Sequence, residues 1–228
     1  MTGDDDIRNR LLEAALAHVP FDGWSEASFR AAARDAGVEW ALARAVAPRG
    51  AVDLALAYHA RGDAEMLRRL AAVDLAGMRI RDRITLALRT RMEVIEDREL
   101  VRRASTLFAL PHHAADGARC VWASCDAIWT AIGDRSEDVN WYTKRATLAA
   151  VYSALLLYWL GDDSPGHRAS WEFLDRRIDD VMKFEGAKAR MRGNPLLKPL
   201  IAGLGRLTAN VRPPQRRDDL PGRLGPRT

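Results

Sequence analysis

The sequence predicts an all-α protein: a three-helix amino-terminal module, a larger helical body and a carboxy-terminal amphipathic helix. Three observations carry this. Apolar residues recur at spacings of three and four in one segment after another. No stretch alternates apolar and polar residues, with β-branched enrichment, for long enough to form a strand. Gly, Pro and capping residues fall between the periodic segments at helix-length intervals.

In order along the chain, Ile7 to Val19 sets Leu11, Leu12, Ala15, Leu16 and Val19 on one face and stops at Pro20 and Gly23. Ser25 is placed as the N-cap of a second helix that ends near Ala36 and Gly37. A short third helix covers about Glu39 to Val46 and ends at Pro48. A fourth starts near Ala51, and further helices are expected over 64–76, 80–95, 97–109, 114–132, 139–160 and 166–190. Ser164 followed by Pro165 is a start signal, a cap with Pro at the first helical position. The implied organisation is a helix-turn-helix-like module over 1–60, a body over 61–190, an amphipathic helix over 191–212 and a disordered tail over 213–228. That tail is rich in Pro, Gly and Arg.

At 228 residues the chain has ample length for a real core, and 48% hydrophobic with 29% charged residues is ordinary for a globular protein. No run of 18 apolar residues occurs, which predicts no membrane span. The acidic start Asp4-Asp5-Asp6 argues against a signal or transit peptide. Cys120 and Cys125 fall on different faces of one helix and read as reduced packing thiols. The net charge of +4 hides an asymmetry. Residues 183–228 hold 11 Lys and Arg against 3 Asp and Glu, net +8, whereas residues 1–182 hold 24 against 28, net −4. A basic end on an acidic body suggests an anionic surface as partner.

Catalysis finds no support. The chain has no Gly-rich phosphate loop, no Gly-x-Ser-x-Gly elbow and no His-Glu-x-x-His helix. It also lacks the Glu-x-x-His repeat of a di-iron site. His112-His113 suits a cap or a surface better than a metal. No catalytic residue, metal or cofactor is expected.

The most informative residues are Asn140-Trp141-Tyr142-Thr143-Lys144-Arg145, which open a long apolar run after a polar break. Two amphipathic aromatics and two cations at the mouth of a hydrophobic helix suit a greasy ligand with a polar head. On a helix, Trp141, Arg145, Leu148, Tyr152, Leu155 and Trp159 share one face. The same stripe also fits a packed core with Arg145 snorkelling at its end. In the tail, Leu196, Leu197, Leu200, Ile201, Leu204 and Leu207 recur at helical spacing among Lys198, Arg206 and Arg212. That is the pattern of a helix lying in a membrane interface, or of one docked on the body.

Asn140 to Ala146, the Asp163-Ser164-Pro165 break, Trp171 to Ile178 and Leu110-Pro111-His112-His113 together resemble the coenzyme Q biosynthesis protein nine family. The resemblance runs from about residue 7 to about residue 210. It implies a non-enzymatic, lipid-binding accessory protein that serves a membrane-bound di-iron hydroxylase acting on demethoxyubiquinone. On that reading Arg145 and Lys144 meet the polar head of an isoprenoid or phospholipid, and Leu148, Tyr152, Leu155 and Trp159 line its chain. Trp141 and Tyr142 form the platform for the hydroxylase, and the protein is cytoplasmic and peripheral on the inner face of the membrane.

In the first 60 residues, the order Leu11 to Leu16, Gly23-Trp24, Phe29 to Ala33, Ala36-Gly37-Val38 and Leu54 also resembles the tetracycline-repressor-like regulators, to whose fold the coenzyme Q family is similar, and that fold implies a homodimer. The alternative function is therefore a ligand-responsive transcriptional regulator. Against it, residues 1–50 carry six Arg and eight acids, net −2, which suits phosphate contacts poorly. Trp40, Ala41, Leu42 and Ala45 stand where such regulators place small or polar residues and a Tyr. No nucleic-acid partner is expected.

Overall fold

The computed structural model describes residues 3–193 and Arg212. The helices are α1 (Gly3–Leu16), α2 (Val19–Asp22), α3 (Glu26–Asp35), α4 (Trp40–Val46), α5 (Ala51–Ala71), α6 (Ile80–Glu93), α7 (Arg98–Ala109), α8 (Ala114–Ala131), α9 (Val139–Leu160) and α10 (Arg168–Gly193), with a 3₁₀ turn over Pro165–His167. No strand occurs among the described residues. None of the described helices is long and apolar enough to cross a membrane.

Local chemistry explains most of the boundaries. Asp4, Asp5 and Asp6 sit in the first turn of α1, where the helix dipole favours negative charge. That turn therefore begins four residues before the apolar stripe. Ser25 caps α3 by accepting from Ser28 N at 3.2 Å, and Ser28 Oγ accepts in return from Ser25 N at 3.0 Å. Gly37 takes φ of +61° after α3, the left-handed step that Gly makes at least cost.

Two expected elements change. The helices expected from Ala51 and over 64–76 are one helix, α5, which passes through Gly62 without a break. A Cβ at Gly62 would meet the Arg91 guanidinium at 3.0–3.1 Å, so packing keeps a poor helix former there. The helix expected from 166 starts at Arg168 instead, because Gly166 and His167 have φ of +63° and +55°. Asp162 seals that corner, accepting from Ser170 N at 2.8 Å, Ser170 Oγ at 2.5 Å and Ser164 N at 2.9 Å.

Two apolar cores result. The first joins α1–α4 and the start of α5, around Leu11, Leu12, Phe29 and Leu54, with Leu100 of α7 added. The second joins the end of α5 with α6, α8, α9 and α10, around Met66, Leu88, Ile128, Tyr152, Leu155 and Leu174. The division expected between residues 60 and 61 falls inside α5, which runs from one core into the other. The interfacial helix expected over 191–212, with Leu196, Leu197, Leu200, Ile201, Leu204 and Leu207, lies outside the described residues but for its first three positions and Arg212. The tail expected over 213–228 lies outside them too.

Candidate functional site

Asp138 starts α9 by accepting from Asn140 N at 2.9 Å, and the helix then runs for 22 residues between α8 and α10. The stripe predicted for lipid is buried: Leu148, Tyr152, Leu155 and Trp159 are all core residues. Packing leaves a void on each side of it. One cavity, about 590 Å³, is walled by the starts of α6 and α9, the end of α8 and the middle of α10. Its wall is mostly apolar, with Ile84, Trp129, Leu148, Val151 and Ile178 and the exposed Met182, while Asp134, Lys144, Arg135 and Asn140 also stand in its lining. The other cavity, about 560 Å³, lies between α5, α7, α8 and α9 and takes in Tyr152 and Leu156. Both volumes fall in the small-molecule range.

Successive helix positions turn by about 100°. Lys144, Thr147 and Val151 therefore fall on one flank of the stripe and Leu156 on the other. Of the six residues expected to hold lipid, Lys144 and Leu148 line the first cavity and Tyr152 the second. Leu155 and Trp159 line neither; they fill the core, with Trp159 against His167 and under the Arg98 guanidinium.

Arg145 is the main correction to the expected site. Its residue is 2% exposed, and its charge is spent inside the protein. Nε donates to Asp126 Oδ1 at 2.7 Å, and Nη1 donates to Asp134 Oδ2 at 3.2 Å and to Trp141 O at 3.1 Å. The guanidinium stacks 3.9 Å from the Trp141 ring centre. A cation with two carboxylate partners and no open face ties the loop 133–138 to α9; it does not wait for a headgroup.

Lys144 lies at the lip of the first cavity. Its Nζ donates to Asp134 Oδ1 at 2.7 Å and Ser136 Oγ at 2.6 Å, yet the side chain is 39% exposed. Burial pushes the Asp134 carboxyl up, and hydrogen bonds from Lys144, Ser136 and Arg145 outweigh it, leaving the group below its ordinary value.

Trp141 and Tyr142 are half-buried and meet edge to face with ring centres 4.8 Å apart. Trp122 of α8, which sequence reasoning missed, completes the group at 6.0 Å from Trp141 and 6.4 Å from Tyr142. Position on the neighbouring helix, not spacing along α9, brings it there. The Tyr142 hydroxyl donates to the Arg212 carbonyl at 3.1 Å.

The amino-terminal module places its cations against itself. Arg30 and Arg44 both stand over the Trp40 ring, at 4.5 and 4.9 Å from its centre, and Arg44 donates to Glu26 at 2.5 Å. Arg8 and Arg10 bond to backbone carbonyls, Arg34 pairs with Asp35, and Arg49 with Asp53 and Asp116. All six arginines of residues 1–50 therefore have internal partners. No group of three or more His, Cys, Asp or Glu among the described residues could hold a metal.

Burial pushes the two thiols up, Cys120 to about 11 and Cys125 to about 12, so both are protonated at neutral pH.

Residues 114–185, which hold α8, α9 and most of α10, match the COQ9 family. The mitochondrial ubiquinone biosynthesis protein COQ9 of Drosophila melanogaster is 31% identical over 194 residues, covering 83% of this chain and 59% of that protein. The Homo sapiens protein of the same name is 28% identical over 211 residues, covering 87% and 65%. The chain thus spans about three fifths of the length of these relatives. Among solved structures, a TetR transcriptional regulator from Nitrosomonas europaea superposes with a TM-score of 0.63 at 18% identity, covering 76% of this chain and 97% of that one. Such a likeness concerns fold alone. The family match falls on the helices that wall the first cavity, and the similarity continues through most of the chain: this protein is a COQ9 relative built on the fold of the TetR regulators.

Proposed function

We propose that this chain is a lipid-binding accessory protein of ubiquinone biosynthesis and that the first cavity holds the lipid. The observation that carries the reading is one mostly apolar void, walled largely by the family-matched helices, and with Lys144 and the exposed Arg135 in its lining. An isoprenoid or acyl chain fits among Ile84, Leu148, Ile178 and Met182. Lys144 gives a polar head its cation, exchanging part of its bond to Asp134 for the ligand. In this reading Arg145 holds the rim in shape, while Trp122, Trp141 and Tyr142 face a di-iron hydroxylase. The basic tail holds the protein to an anionic membrane surface, and the protein works as a homodimer without catalysis of its own.

Native mass spectrometry of gently purified protein tests the lipid. The wild type should carry isoprenoid or phospholipid. Thr147→Trp, which fills the cavity from a half-buried position, should lose it while melting near the wild-type temperature. Lipid-free wild type, or full retention by the variant, would exclude this cavity. For the membrane, Leu200→Asp with Leu204→Asp should abolish sedimentation with anionic vesicles, since each buried Leu is worth about 1.5–3 kcal/mol.

A further inference from the structure

The second cavity is not used by that reading, and its chemistry differs. Its depth holds a buried guanidinium instead of the first cavity's Asp134 carboxylate. Arg91 lines it although the residue is only 5% exposed. Nε of Arg91 donates to Asp63 Oδ1 at 2.6 Å, and Nη2 reaches the Nδ1 and carbonyl of His59 at 3.4 Å. Nη1 has no hydrogen-bond acceptor among the described residues. The guanidinium lies flat on α5 because Gly62, also in the lining, has no side chain to lift it. Behind it, Asp63 also accepts from Ser124 Oγ at 2.8 Å, and Ser124 meets His59 Nε2 at 2.8 Å, so the network is fixed from the back. Tyr58, Phe108 and Tyr152 supply aromatic walls.

We propose that this cavity is a second binding site, for a compact neutral ring compound whose carbonyl oxygen accepts a hydrogen bond from Arg91. A buried guanidinium with a spare donor calls for an acceptor. The surrounding charges decide which kind. Asp63 already compensates Arg91, Glu13 is paired with Arg61, and Glu65 is clamped by Arg68 and Arg69. Glu96 adds one more negative charge to the lining. Nothing positive is left over to draw in a carboxylate or phosphate, whose desolvation would go uncompensated. A neutral carbonyl loses little on leaving water and gains a charge-assisted bond. The flat aromatic walls select a ring over a flexible chain.

Photolabelling with benzophenone, a neutral diaryl ketone, tests this on the whole chain. Irradiation followed by peptide mass spectrometry should place the adduct on peptides bearing Tyr58, Phe108 or Tyr152. The anionic analogue 4-benzoylbenzoate should label the same peptides at least about a hundredfold less, the loss expected when a carboxylate is desolvated without a partner. Ser105→Trp, which fills this cavity from α7, should remove the adduct without releasing co-purified lipid. Thr147→Trp should leave the adduct in place, so failure of this site and failure of the lipid cavity are told apart. An adduct at Trp129 or Met182, scattered labelling, equal labelling by the anion, or labelling that survives Ser105→Trp would each overturn the proposal.

Discussion

Removing the Arg145 guanidinium would strand the Asp134 side chain, which is 2% exposed, with Lys144 as its remaining cation. Breaking a buried pair from one side costs about 3–5 kcal/mol. Arg145→Ala should therefore lower the denaturant midpoint steeply, and any lipid loss should follow from that. Lys144→Ala also takes a partner from Asp134 but leaves Arg145 in place, so it should cost less than Arg145→Ala and chiefly affect retained lipid. A variant of Arg145 with unchanged midpoint and less lipid would restore the headgroup role first expected of it. A second residue sets a pH limb. Hydrogen bonds from Ser164 and Ser170 hold the Asp162 carboxyl well below the usual carboxylate range. A group depressed in the folded state contributes stability above its unfolded value, near 3.9, and loses it as pH falls toward the folded value. Denaturation curves of Asp162→Ala should thus lie furthest from wild type near neutral pH, and the gap should close below about pH 4.

At the scale of the element, α9 shows what a periodic stripe can and cannot reveal. Helical spacing found the face that carries Leu148, Tyr152, Leu155 and Trp159 and the breaks at Gly133 and Gly161, while the cap at Asp138 emerged only in the structure. It could not separate cavity from core, because voids arise where neighbouring helices fail to meet, and those neighbours are far away in sequence. Arg145 illustrates the limit: its partners Asp126 and Asp134 lie 19 and 11 residues upstream, across a turn. Asp138→Ala should cost about 1 kcal/mol by removing the cap, read by thermal melting. The far end of α9 leaves Leu157 68% exposed, beside Tyr158 stacked at 4.5 Å on Phe173 of α10. If this is the face of the homodimer, Leu157→Asp should shift the mass measured by light scattering from dimer to monomer. A wild-type monomer, or an unchanged dimer in the variant, places the contact elsewhere or removes it.

At the scale of the molecule, two cores share one helix. Leu54 and Ala55 of α5 belong to the first, and Met66 and Leu70 to the second. Trp24 Nε1 donates to Leu100 O at 3.1 Å, and Arg49 pairs with Asp116 at 3.0 Å, tying the module to the body. Calorimetry should show one transition. Leu54→Ala and Leu155→Ala, each worth about 2–5 kcal/mol, should lower that transition and leave it single. The net charge of −2 over residues 1–50, whose arginines are each paired within the chain, leads to a negative expectation for nucleic acid. Selection from random duplexes at physiological salt should return no preferred sequence, with residual affinity lost on deleting residues 194–228. A recovered palindrome that binds without that segment would favour a regulator.

The position of α9 carries one more consequence. It is a common wall: Leu148 and Val151 border one cavity, and Tyr152 and Leu156 the other. Occupants of the two voids would lean on opposite flanks of a single stiff rod. Thermodynamics then requires reciprocity between them: whatever factor one guest imposes on the affinity of the other, it receives in return. Titrating benzophenone against lipid-loaded and lipid-stripped protein gives that factor from one side. Measuring lipid exchange with and without benzophenone must give the same number from the other, and a factor of one would mean that α9 insulates its two faces.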